Sequence, residues 1–231
     1  MNNTLPGWGK GIVSSVVLAS APWVGAQTTE WITTGPTAGP VVVILSGASG
    51  VAPYREFGQK IAALGYAALL VDGNEVSILG AQSAANLSRV LSQALADQRA
   101  QPGKVAVVGF SMGGGGALAH ATSSEEAVAA VATYYPAVSV LPNPLKTAKE
   151  VKVPTLILAG GRDQLNNCCL VESAREFAKA VKADGGTIEL VEYPQANHAF
   201  NLQGPSYREG DADDAWTRLR AFLTTHLPVG R

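Results

Sequence analysis

The sequence predicts an α/β fold: a doubly wound, mainly parallel sheet with helices on both faces. Short runs of Val, Ile, Leu and Ala recur as continuous apolar segments, the pattern of strands buried on both sides rather than one. Between them stand longer stretches with apolar residues at helical spacing, so strand and helix alternate from end to end. Clusters of Gly, Pro, Asn and Asp punctuate the boundaries. The 231 residues carry no internal repeat or charged linker and fit one domain. A formal net charge of −1 argues against nucleic acid or an anionic membrane as the main partner.

Residues 1–26 stand apart from this alternation. Lys10 precedes an apolar run from Ile12 to Val24, broken by small residues and Pro22, which closes on Val24-Gly25-Ala26. Small residues there are what a signal peptidase reads, so the segment predicts a secretory signal cleaved after Ala26. It is too short to remain as a spanning anchor. The expectation is a mature chain of residues 27–231, secreted or periplasmic; an N-terminal tether is the alternative.

The elements follow in order. Glu30 to Thr34 reads as an edge strand ended by the Gly35 to Pro40 turn cluster, and Val41 to Leu45 as a buried strand running into Ser46-Gly47-Ala48-Ser49-Gly50. Tyr54 to Leu64 has Phe57, Ile61 and Leu64 on one helical face, with Gly65 as its stop. Ala67 to Val71 is the next strand. Gly80 to Gln101 carries a long helix on Leu87, Val90, Leu91 and Leu95, ended by Pro102-Gly103. Val105 to Val108, Ala127 to Tyr134, Thr155 to Ala159 and Thr187 to Glu192 complete the strands. A Pro-rich loop to Pro144 follows the second of these, with no insertion long enough for a large lid. Val171 to Ala183 and Asp211 to Leu227 are the remaining helices; the last places Asp211, Asp213 and Asp214 near its positive end.

Chemistry concentrates after the strand at Val105. Gly109-Phe110-Ser111-Met112-Gly113 is G-x-S-x-G between a Val-rich strand and a small-residue helix, the context of a nucleophile elbow. Ser111 is therefore the candidate nucleophile, on a bend that only glycine at 109 and 113 permits. The Met112 N–H then lies at a helix N-terminus, suited to an oxyanion. The small-residue loop after Leu45 is placed to supply a second N–H: Ala48 is the candidate donor, with Ser49 as fallback.

A serine hydroxyl needs an adjacent base, and the base a carboxylate that fixes its tautomer. In chains with this elbow the order is Ser, acid, His, each after a successive strand. His120 lies inside the helix leaving the elbow, and His226 in the last turn of the final helix. His198 alone follows a strand on a loop. Asp163, just past a buried strand, is the candidate acid; Asp72 precedes Ser111, and Asp184 belongs to a Gly-Gly turn. Ser49, Tyr135 and Phe200 are candidate pocket-lining residues. Arg55, Arg162 and Arg208 could meet an acidic substrate. Cys168 and Cys169, the only cysteines, are adjacent, which makes free thiols the expectation and a vicinal bridge the alternative. With no second cysteine pair, no structural zinc site is expected.

Gly109-Phe110-Ser111-Met112-Gly113-Gly114, Ala159-Gly160-Gly161-Arg162-Asp163 and Tyr193-Pro194-Gln195-Ala196-Asn197-His198-Ala199-Phe200 together resemble the dienelactone hydrolase family of α/β-hydrolases, from about residue 28 to the C-terminus. The resemblance implies the α/β-hydrolase fold, a Ser111/Asp163/His198 triad and cofactor-free cleavage of small esters or lactones. The family's namesakes use a cysteine nucleophile and a His-Glu pair where this chain has Ser111 and Ser46-Gly47, which implies an ordinary serine mechanism. The run Ser111-Met112-Gly113-Gly114-Gly115-Gly116 is also similar to cutinase-like polyester hydrolases. Acyl transfer in place of hydrolysis, and a non-catalytic binding module, are the other readings; oligomeric state is not encoded in any motif.

Overall fold

A computed structural model of the chain describes residues 29–35 and 37–230; the candidate signal segment, residues 1–26, lies outside the described residues. Seven strands form one sheet: β1 (Thr29–Ile32), β2 (Val41–Leu45), β3 (Ala67–Val71), β4 (Val105–Phe110), β5 (Val128–Tyr134), β6 (Thr155–Gly160) and β7 (Ile188–Tyr193). Their order is β1-β3-β2-β4-β5-β6-β7. The edge strand β1 runs antiparallel to β3, and the other neighbours are parallel. Six α-helices accompany them among the described residues: α1 (Arg55–Ala63), α2 (Ser83–Ala96), α3 (Ser111–Gly116), α4 (Pro144–Lys149), α5 (Val171–Ala183) and α6 (Glu209–His226).

The continuous apolar runs feed two layers, because successive strand residues point to opposite faces. Val42, Ile44, Ala68, Leu70, Val108 and Leu158 pack with Phe57 and Ile61 of α1 and with Leu219 and Leu223 of α6. Val41, Val43, Leu45, Leu69 and Val107 meet Leu87, Val90 and Leu91 of α2 on the other face, where α5 adds Phe177 and Val181 beside Ile157. Strand order reverses between β2 and β4, so the loops leaving those strands diverge and open a crevice at their C-terminal ends. The elbow and the Ser46–Gly50 loop face each other there.

Three local readings change. The long helix expected over 80–101 spans only Ser83–Ala96: Asp97 turns out of it to bond its carboxylate to Arg99 Nε at 2.6 Å, and the Arg99 carbonyl accepts from Gly39. The Pro-rich loop contains α4, started by the Asn143 side chain accepting from the Lys146 N–H, with Pro144 in the first turn. Cys168 and Cys169 are bonded to each other, against the expectation of free thiols. In a strand or helix neighbouring side chains diverge. Here the chain passes through Asn166 and Asn167, both left-handed at φ 47° and 54°, and the adjacent sulfurs meet in the irregular segment that precedes α5.

Candidate active site

Ser111 sits at the junction of β4 and α3 with φ 51°, a left-handed conformation that costs a non-glycine residue about 1–3 kcal/mol. Close packing holds it there. A Cβ on Gly109 would stand 2.6 Å from the Gly113 carbonyl oxygen, and one on Gly113 would stand 2.7 Å from the Leu45 carbonyl oxygen and press on that of Ser46. The Ser111 carbonyl accepts from Ala137 N–H at 2.9 Å, pinning the elbow to the β5 exit. α3 passes directly into a wider helical turn, Ala117–Ala121, so the Met112 N–H opens a continuous helical segment.

Asp163 and His198 leave β6 and β7, which pair in parallel. Beyond the strands the two loops stay stitched: Gly161 N–H donates to the Tyr193 carbonyl at 2.8 Å and Arg162 N–H to that of Ala196 at 2.9 Å. Ala199, left-handed at φ 61°, turns the chain sharply after His198. The result is a continuous chain of contacts. His198 Nδ1 lies 2.6 Å from Asp163 Oδ2, and His198 Nε2 lies 2.9 Å from Ser111 Oγ. With the proton on Nδ1, the imidazole donates to the carboxylate and accepts from the serine hydroxyl. Asp163 is buried, and its Oδ1 accepts from Leu165 N–H at 3.1 Å. The three residues named from the sequence thus come together from three strand ends.

The remaining candidates fall around them. Ala48 and Ser49 are exposed on the loop facing the elbow, and among the described residues neither amide is spent in a backbone hydrogen bond. Tyr135 and Phe200 are fully buried; the Tyr135 ring, left-handed at φ 36°, packs 4.6 Å from the imidazole centroid, and Phe200 packs behind it at 5.8 Å. Arg55 and Arg208 are occupied by Glu30 and Asp211, while Arg162 is exposed. Asp72 caps the turn at Gly73–Val76, and His226 packs edge-on against Phe222 at the end of α6. A cavity of about 310 Å³ between α1, α6 and the segment after His198 is lined by Phe57, Lys60, Asn201, Tyr207 and Trp216, but not by Ser111.

Sequence reasoning missed Tyr54. Its ring is buried against Phe110 at 4.8 Å between centroids and its hydroxyl lies beside Gly47; burial pushes its pKa up. It ties the small-residue loop to the aromatic group under His198. Its position just before a helix looks like ordinary packing, so no sequence signal separated it from Phe57.

A model of the dienelactone hydrolase family matches residues 30–227. The chain belongs to that family. A candidate carboxymethylenebutenolidase of Yersinia pestis is 36% identical over 129 residues, covering 53% of this chain and 47% of the relative. One from Escherichia coli K12 is 27% identical over 206 residues, covering 78% and 74%. The chain spans about half the length of the Yersinia relative. Among solved structures, a candidate dienelactone hydrolase of Klebsiella pneumoniae superposes with a TM-score of 0.71 at 22% identity, covering 87% of this chain and 99% of that one. Esterase 2 of Thermogutta terrifontis, in its sarin-phosphonylated form, does so with a TM-score of 0.68 at 19% identity, covering 88% and 91%. The family's mostly parallel α/β-hydrolase sheet is the fold described above.

Proposed function

We propose that this member of the dienelactone hydrolase family is a serine hydrolase that cleaves carboxylic ester or lactone bonds of small substrates. The observation that carries the reading is the unbroken contact chain from Asp163 through His198 to Ser111. Ser111 Oγ attacks the ester carbonyl while His198 Nε2 takes its proton, and Asp163 holds the imidazolium that forms. The Met112 and Ala48 amides receive the tetrahedral oxyanion. His198 then returns the proton to the leaving alcohol, and water attacks the acyl-enzyme by the same route in reverse. No cofactor enters these steps. The Ser-type elbow and the Ser46-Gly47 pair favour ordinary esters over chemistry that depends on a primed cysteine.

The decisive test is turnover of short p-nitrophenyl esters by the protein lacking residues 1–26, beside Ser111→Ala, with fluorophosphonate labelling as a second readout. Turnover and labelling that both vanish in Ser111→Ala support the reading. Equal activity in the two proteins reassigns the nucleophile, and an inactive, unlabelled protein leaves a binding module on a hydrolase scaffold. Residues 1–26 read as a secretory signal; N-terminal sequencing of the exported protein should begin at Gln27.

A further inference from the structure

The bridge between Cys168 and Cys169 closes the turn that follows Asp163, and it lies beside the imidazole at the centre of the site. The two sulfurs and a ring nitrogen of His198 stand within 4.8 Å of one another. Cys169 is buried, whereas Cys168 and His198 are half-buried, so the group is approached from the Cys168 and His198 side. Its neighbours fix the backbone rather than the sulfurs: Ser139 N–H donates to the Cys168 carbonyl, and Leu170 N–H to the Ser139 hydroxyl, each at 3.0 Å.

We propose that the reduced pair, Cys168 and Cys169 with His198, forms a site for a thiophilic divalent cation, and that filling it silences the hydrolase. Two thiolates and an imidazole are a soft, three-donor set that suits zinc or cadmium and leaves one position for water. Donors around such an ion stand about 3.5 Å apart, so once the S–S bond is broken the three need only small side-chain movements to reach it. Among the described residues no other group of three such donors is brought so close. Inhibition follows from counting nitrogens. The imidazole has two, one engaged by Asp163 and the other by Ser111. Whichever ligates the cation abandons a partner, and either loss removes the base from catalysis. The bridged form has no thiolate to offer, so the bond shields the site from metal. This is an inhibitory site, distinct from a resident cofactor.

The chemistry balances with a trialkylphosphine as reductant: the S–S bond takes two electrons and two protons, and the phosphine becomes its oxide with the oxygen of one water. Binding of the cation then releases the two thiol protons. Only the inhibition arm rests on the proposed hydrolase reading.

The test compares bridged, phosphine-reduced and desalted samples of the same protein, titrated with cadmium. The reduced protein should bind one cadmium per chain with a cadmium–thiolate charge-transfer band, and lose more than tenfold of its ester turnover, recovered with a chelator. The bridged protein should show neither effect. Reduced Ser111→Ala, inactive by design, should keep the band, and reduced His198→Ala should bind at least tenfold more weakly. With a band of that His198 dependence, absence of ester turnover in the parent protein would sink the hydrolase reading and leave the metal site standing. No band in the reduced protein, a band without inhibition of an active enzyme, or a His198→Ala affinity equal to the parent's would overturn the proposal.

Discussion

Asp163 is a carboxylate out of contact with water, and burying such a group is costly unless its oxygens are used. One oxygen accepts from the Leu165 amide and the other from His198, so the carboxylate is held where it fixes the imidazole tautomer. Asp163→Asn should keep the shape and offer an amide in its place, favouring the tautomer that cannot accept the Ser111 proton. The expected result is a kcat lowered by about 10³–10⁴ with little change in KM. A loss below tenfold would remove Asp163 from that role. Tyr54 makes a second prediction at this scale. Tyr54→Phe removes a buried hydroxyl packed beside Gly47, a loss of about 1 kcal/mol that thermal unfolding can measure.

The elbow is an element built by close backbone approach, and its tolerance is correspondingly small. A methyl group at Gly113 must displace the end of β2, since the Leu45 and Ser46 carbonyls already occupy its space. Gly113→Ala should therefore move Ser111 away from His198 and the Ser46–Gly50 loop together, lowering kcat/KM by about 10² or more, as misplacements near 1 Å do. Parent-like kinetics in this variant would show that the elbow can shift without consequence. This element was legible because strand, G-x-S-x-G and small-residue helix coincide in one short stretch. The strands were legible too, as Val41–Leu45 and Ala67–Val71 show, because their burial on both faces writes continuous apolar runs. α4 was hidden: its six residues carry too little periodicity, and the Asn143 cap with Pro144 reads equally as a turn. The Cys168–Cys169 bond was hidden because it forms in an irregular segment before α5, where no periodicity tells how neighbouring side chains point.

For the whole molecule, the sheet separates packing from the candidate site: the apolar layers lie above and below it, while Ser111, Asp163 and His198 gather at the C-terminal ends of β4, β6 and β7. Ser111 meets His198 across 87 positions of sequence, a contact that exists only when the sheet order is complete. The meeting of Ser111, Asp163 and His198 could be read in advance from their order along the chain, but not the stitching of the β6 and β7 loops, which depends on backbone groups common to every residue. A titratable group away from that edge lets stability be examined separately. His120 lies in the helical turn after α3, and its Nε2 is buried without a hydrogen-bond partner. Burial lowers its pKa below the ordinary value of 6.5, partly countered by a hydrogen bond with the Ser77 backbone. Below about pH 6.5 the unfolded chain therefore binds a proton that the folded chain resists. This contribution favours the folded state above that pH, and it is lost as pH falls through the unfolded value toward the lower folded one. Thermal unfolding followed from pH 7 to pH 5 should show Tm falling, with a shallower slope in His120→Gln. Identical slopes in the two proteins would mean that His120 takes up its proton in the folded state as readily as in the unfolded chain.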